Sequence, residues 1–230
     1  MLSPIITDCY ATGVLPELPY PTLIQFFPNC NLAVRKEALA EAGYYDEQCV
    51  ASEDVDMCKR VANGGWRLFY EPTAACFHEP RRTLWALVKQ WFWYGRAAAF
   101  VFHKHQTRRF EVFASLDPRP RIFSYRRILG ARRFPVRGLL FVNYFTILAS
   151  AALLLAVSLA AAAYGCAAVL LAALAAGAAF VHLSNPVLKR RSVREILVYY
   201  LVGLAINGAC TAGGLIGGLR RGMLYLHPGV

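Results

Sequence analysis

Acidic residues are scarce in this 230-residue chain: Asp and Glu total 14 against 25 Lys and Arg, a formal charge of +11. Such a balance suits a nucleic-acid binder, but no recognition motif accompanies it, and we expect no nucleic-acid partner. The positive charge is concentrated instead at Arg108, Arg109, Arg119, Arg121, Arg126, Arg127, Arg132, Arg133 and Arg137, just ahead of the first long apolar run. That position reads as a juxtamembrane segment attracted to anionic headgroups. Paired cysteine motifs are also missing. The seven cysteines are odd in number, widely spaced and never CxxC, so neither a zinc site nor a disulfide framework is signalled. The start, "MLSPIITDCYATGVLPELPYP", lacks the basic and continuous apolar stretches of a secretory signal. Membrane targeting is therefore expected from the interior, with the soluble portion reduced and cytoplasmic.

Charge is wholly absent from residues 139–183, a stretch too long for one membrane span and about right for two with a turn near Tyr164 and Gly165. A third, Gly-rich candidate covers residues 196–219. Basic residues precede the first span and fill "NPVLKRRSVR" between the second and third, which puts both on the cytoplasmic side. Arg220 and Arg221 follow the third segment, so it either crosses against a weak charge bias or re-enters and returns. The expected spans are 140–162, 166–183 and 196–219, giving a multi-pass protein of the cell inner membrane.

The first hundred residues have an ordinary soluble mixture and an α/β rhythm. Residues 1–24 are rich in Pro and read as a loop. A strand-like stretch at residues 31–34 precedes a short helix from about Arg35, stopped by Gly43. Ser52 is a natural N-cap for a second helix, with Val55, Cys58, Val61 and Ala62 on one face and Asn63, Gly64 and Gly65 at its end. "WRLFYEP" alternates as a strand, with Trp66, Leu68 and Tyr70 on one side. Residues 83–105 are helical in pattern and rich in aromatics, which fits either an interfacial helix or a buried core helix.

The scarce acids are spent unevenly: "SEDVDMCKR" places Glu53, Asp54 and Asp56 at a helix start. The free N–H groups and dipole there stabilise acids by about 0.3 to 1 kcal/mol each without any function. The functional alternative is a general base held at a helix start to face a cleft and accept a proton from an acceptor hydroxyl.

"NCNLAVRKEALAEAGYYDE" followed by "SEDVDMCKRVANGGWRLFYEPTAACFHEPRRTLWALVKQWFWYGR" resembles the C-terminal half of the catalytic domain of family 2 glycosyltransferases, over about residues 27–96. The resemblance implies a partial GT-A domain, a nucleotide-diphospho-sugar transferase-like α/β fold, over residues 1–106. A basic segment at 107–138 and an α-helical transmembrane region at 139–230 would follow it. It also implies Asp54 as the base of an inverting transfer, with Glu53 orienting it or contacting the acceptor. Asp56 is expected to cap or pair locally. His78 matches a position that helps hold a divalent metal, Mn or Mg, against the leaving diphosphate. Gln90, Trp93 and Arg96 stand in "QWFWYGR" where processive members carry Gln-x-x-Arg-Trp. Trp93 replaces that motif's Arg, so processive synthesis is not implied, and Arg96 or Arg82 is left to meet phosphate. Trp91 and Trp93 suit either sugar stacking or lipid anchoring. Asn31 falls in a polar stretch lining the acceptor side, or serves a turn.

No Asp-x-Asp precedes Asn31, so the donor-binding half is expected outside these residues, in a longer chain or a partner chain. The implied partners are a nucleotide-sugar donor, a lipid or glycan acceptor and the membrane, in cell-envelope polysaccharide synthesis. A non-catalytic membrane subunit, kept for assembly or acceptor binding, is the alternative.

Overall fold

The computed structural model describes residues 22–23, 29–71, 73–74, 76, 81–115, 126–161, 164–184 and 192–227. Its first part is a small α/β unit. Strand β1 (Thr22–Leu23) pairs antiparallel with β2 (Phe69–Tyr70), so two residues of the expected N-terminal loop are strand. Between them lie a 3-10 turn at Asn29–Asn31, helix α1 (Lys36–Glu41) and helix α2 (Glu53–Asn63). The 3-10 turn stands at the head of the stretch expected as a strand, because the two asparagines there direct their polar atoms to other segments. Gly43, at a φ of 76°, and Tyr44, at 60°, carry the chain away from α1.

Ala38, Met57, Cys58, Val61 and Leu68 form the core of this unit, packed by Leu32, Val34, Leu39, Ala42, Trp66 and Tyr70. The buried face of α2 therefore includes Met57 and Asp56, while Ala62 is exposed. Alternation in "WRLFY" holds: Leu68 is buried and Phe69 points out.

Helix α3 (Leu84–His105) follows, capped by the Thr83 hydroxyl, which accepts from the Ala86 N–H. Strands β3 (Phe110–Ser115), β4 (Arg126–Ala131) and β5 (Gly138–Asn143) come next. Among the described residues, the segment expected to be juxtamembrane thus contributes β3 and β4 to a sheet, and β5 occupies the start of the first expected span. Its alternating residues, Phe110, Val112, Ile128 and the run "LLFV", outweigh the arginines that separate them. Helices α4 (Tyr144–Ala160) and α5 (Tyr164–Ser184) pack as a hairpin, α6 (Val193–Leu219) follows, and β6 (Leu224–Leu226) closes the second sheet. That sheet has the order β4-β3-β5-β6, antiparallel between β4 and β3 and parallel in the other two pairs, with a bulge at Val112/Phe113.

The sheet packs on α3 through Ala99, Leu139, Met223 and Tyr225, supported by Ala98, Phe102, Phe113 and Phe141. The most extensive contact between helices joins α3 and α6. Glycine makes it possible. A Cβ on Gly213 would collide with the Phe92 carbonyl, one on Gly95 with the Cys210 carbonyl, and one on Gly217 with the Arg96 carbonyl. At the head of α4, Asn143 and Thr146 form a reciprocal cap, and the Asn143 amide donates to Asn207 of α6 at 3.4 Å, both asparagines being buried.

Among the described helices, α6 alone is long and apolar enough to cross a membrane by length and composition. The apolar stretches Ser150–Ala160 and Tyr164–Gly177 of the hairpin are shorter.

Substituting Gly213→Ala is expected to force α3 and α6 apart and to cost about 1–3 kcal/mol, the usual range for overpacking. Gly208→Ala meets nothing within 4 Å and should be neutral or stabilising by up to about 1 kcal/mol through helix propensity. Denaturation midpoints of the two variants in detergent check the contrast.

Candidate functional site

The acids at the start of α2 are divided by their surroundings. Ser52 occupies the N-cap position but makes no capping hydrogen bond, because its backbone is left-handed, with a φ of 59°. A non-glycine residue in that region is strained and needs a compensating fit. Asp54 takes over the task expected of Ser52: its Oδ1 accepts from the Val55 N–H at 2.8 Å. Its Oδ2 accepts from the Asn29 N–H at 3.3 Å. The Asn29 side-chain amide donates to Glu53 Oε1 at 2.8 Å, and its own carbonyl oxygen accepts from the Tyr45 hydroxyl at 2.8 Å.

Asn29 thus spans both acids from one side. Asn31, two residues on in "NCN" and expected either on the acceptor side or in a turn, donates instead to the Ala74 carbonyl at 2.7 Å. The Cys76 thiol, in the same stretch, reaches the Cys30 carbonyl at 3.5 Å. Asn31 therefore holds the segment leading toward His78 beside the 3-10 turn. His78 itself lies outside the described residues.

Burial pushes the Asp54 carboxyl above the usual aspartate range, and the Glu53 charge adds to the rise against the backbone donors. No lysine or arginine pairs with it among the described residues. Asp56, two residues on, is fully buried and saturated with donors. Arg60 Nε lies 2.9 Å from Oδ2, while Lys104 Nζ and His105 Nε2 lie 2.9 and 2.7 Å from Oδ1. Burial alone would raise this carboxyl too, but hydrogen bonds from Lys104, His105 and Arg60 prevail and hold it below the ordinary range. Lys104 also meets Asp46 at 2.6 Å, and Arg60 donates through Nη1 to the Ala42 carbonyl. The local pairing expected of Asp56 is present with Arg60; the ties to Lys104 and His105, 48 and 49 residues away, add a long-range anchor.

Gln90, Trp93 and Arg96 share α3 with that anchor. Gln90 donates to the Tyr94 hydroxyl at 2.7 Å, and the Arg96 guanidinium lies over the Trp93 ring, 4.9 Å from its centroid. No hydrogen bond joins them to Glu53 or Asp54 among the described residues. Lys104 and His105 are about 20 Å along the helix axis from Gln90.

Asp46, Cys49 and Asp56 bring three possible metal ligands within 4.8 Å of one another. They do not suit a divalent ion. The Lys104 ammonium already bridges the two carboxylates, and burial followed by the adjacent Asp56 and Asp46 charges pushes the Cys49 thiol up to about 11, away from the thiolate a metal needs.

Two neighbouring carboxylates are thus held in opposite electrostatic settings, an arrangement that acid–base enzymes use. Comparison with known proteins identifies the family. The family described as Glycosyl transferase family group 2 matches residues 11–195. The chain belongs to that family. It is 34% identical over 90 residues to the pre-mycofactocin glycosyltransferase of Mycobacterium tuberculosis (strain ATCC 25618 / H37Rv), which is 39% of this chain and 19% of that protein; the strain CDC 1551 / Oshkosh protein gives the same figures. It is also 34% identical over 73 residues to the succinoglycan biosynthesis protein ExoA of Rhizobium meliloti (strain 1021), 32% of this chain and 22% of that protein. The chain spans about a fifth of the length of these curated relatives. No solved structure matches.

The two aspartates have opposite pH signatures. Asp56, depressed on folding, stabilises the protein above about pH 4, the ordinary aspartate range, and that contribution disappears as the pH falls through its lower folded value. Asp54, raised on folding, is least favourable when ionised. Asp56→Asn is accordingly expected to cost about 3 kcal/mol at pH 7 by leaving its cationic partners without their counter-charge, and progressively less below pH 4. Asp54→Asn should leave stability at pH 7 unchanged or slightly higher. Urea unfolding of both variants at pH 7 and pH 3 tests the signs.

Proposed function

We propose that this chain is the acceptor-side part of a membrane-bound family 2 glycosyltransferase, moving a sugar from a nucleotide-sugar donor to a lipid or glycan acceptor. The observation that carries the reading is the contrast within one helical turn: Asp56 is neutralised by cations, whereas Asp54 is held by backbone donors, half-buried and raised toward the range of a working base.

In this reading Asp54 accepts the acceptor hydroxyl's proton as that oxygen forms its bond to the anomeric carbon of the donor. The bond from that carbon to the nucleoside diphosphate breaks, and the diphosphate leaves with the bonding pair. Glu53, held by Asn29, orients the acceptor. Gln90, Trp93 and Arg96 are assigned to the acceptor or diphosphate on the strength of the motif resemblance. His78 is assigned to the divalent ion that the family's chemistry implies, Mn or Mg, which would neutralise the leaving diphosphate.

Residues 1–106 are then the transferase portion and 107–138 the basic, membrane-facing segment. Residues 139–230 hold the membrane region between the strands β5 and β6, with the α4–α5 hairpin crossing the cell inner membrane and the soluble portion cytoplasmic. The exposed apolar surface of that hairpin supports this placement: Leu153, Leu154, Val157, Leu159, Val169 and Leu171 are uncovered. The donor-binding half is assigned to chain outside these residues or to a partner. ExoA, named for succinoglycan biosynthesis, supports an envelope polysaccharide or glycolipid as the class of product.

In the complete membrane-embedded transferase, Asp54→Asn should lower kcat by about 100-fold or more, the usual share of a general base, with folding and assembly retained. Glu53→Gln should act mainly on the acceptor KM. Unchanged transfer in Asp54→Asn would instead make this chain a non-catalytic subunit.

A further inference from the structure

Helix α6 passes a length-and-apolarity test for crossing a membrane, yet its packing partner is a helix that cannot cross. The last turn of α3 is bound through Lys104 and His105 to Asp56 and Asp46 of the small α/β unit. Its first turn is joined to that same unit by residues 72–83, which include Glu79, Arg81 and Arg82. Were α3, about 33 Å long, to span the bilayer, this charged connection would have to return through hydrocarbon. Lys89 and Arg96 would also stand within the span.

Helix α6 follows the line of α3. Gly213 abuts Phe92 and Gly217 abuts Arg96 and Ala99, so the contact advances in the same direction on both helices. Beyond α6, Tyr225 of β6 packs near Phe102, 5.6 Å between rings, and β6 joins the sheet that contains β3, the strand after α3. The C-terminal end of α6 is therefore on the side of the soluble unit. Its N-terminal end begins within "KRRSVR", and Arg220 and Arg221 flank the other end, so both ends carry the charge of cytoplasmic segments.

The face of α6 away from α3 is apolar and uncovered, with Val193, Leu197, Leu201, Leu204, Ile216 and Leu219 exposed. On α3, Trp85, Trp93 and Tyr94 are exposed as well, residue types that favour the headgroup boundary. We infer that α6 does not cross the bilayer: it lies with α3 in the cytoplasmic interface, both ends on one side, its leucine face on lipid. This rests on the membrane placement proposed above and replaces the third span, 196–219, with an in-plane helix.

The test uses the complete transferase in membrane vesicles of defined orientation. With Arg194→Cys and Arg220→Cys, an impermeant maleimide should label both positions, above the parent protein, in inside-out vesicles and neither in right-side-out ones. Labelling from opposite sides would overturn the inference. Leu201→Trp, reconstituted in bilayers with brominated acyl chains, should have its added emission quenched; same-side labelling without quenching would mean that protein, not lipid, covers the face, and would also overturn it. Tyr164→Cys, at the hairpin turn, separates the two readings. If it too labels from the inside, the crossing hairpin fails, whereas outside labelling with α6 ends on opposite sides fails this inference alone.

Discussion

A carboxylate removed from water must be matched by positive charge or give up its own. Asp56 is matched, and the groups that match it come from two distant parts of the chain. Arg60 is one turn along the same helix, whereas Lys104 and His105 end a helix that begins beyond the second strand. Such pairs contribute modestly to net stability because desolvation offsets much of the attraction. Their geometric consequence is larger, since only one docking of α3 satisfies the carboxylate. The position of α3 relative to the acid turn follows, and with it the positions of everything packed on α3, namely α6 and the second sheet.

The same anchor accounts for the freedom of Asp54. By drawing the nearby cations to itself, Asp56 leaves Asp54 with backbone donors, the N–H groups of Val55 and Asn29. An ion pair there would lower its affinity for protons and weaken it in the role proposed for it. The left-handed Ser52 is part of the arrangement. With the usual capping bond unmade, the helix start is satisfied by Asp54 itself, which fixes the carboxylate in place.

Much of the first unit was legible because its signals are local. Gly43 ending α1, Gly64 ending α2 and the alternation through Leu68 each follow from a few neighbouring residues and their steric limits. The acid turn was legible as a motif, but the division of labour within it was only partly so, because Lys104 and His105 lie some fifty residues away and leave no periodic mark. Asn29, the residue that meets the acids, leaves no mark in "NCN" that sets it apart from Asn31: two residues apart in a 3-10 turn, they face different partners, and only the fold says which meets the acids. The second sheet was hidden by composition. Arginines at alternate and adjacent positions outweighed short β-branched and aromatic runs, and the parallel pairing of β5 with β3 and β6 depends on segments far apart in sequence.

The glycines of α6 mark close helix packing, yet the usual companion of that sign, a crossing within the membrane, does not follow from it. Glycine permits approach by removing the Cβ and is indifferent to the medium around the pair. What distinguishes a crossing helix from an in-plane one is the partner. A helix whose both ends belong to one soluble unit carries its neighbour with it, however apolar that neighbour is. Hydropathy measures what a segment tolerates; the ion pairs of Lys104 and the hydrogen bond of His105 fix the partner along which this one lies.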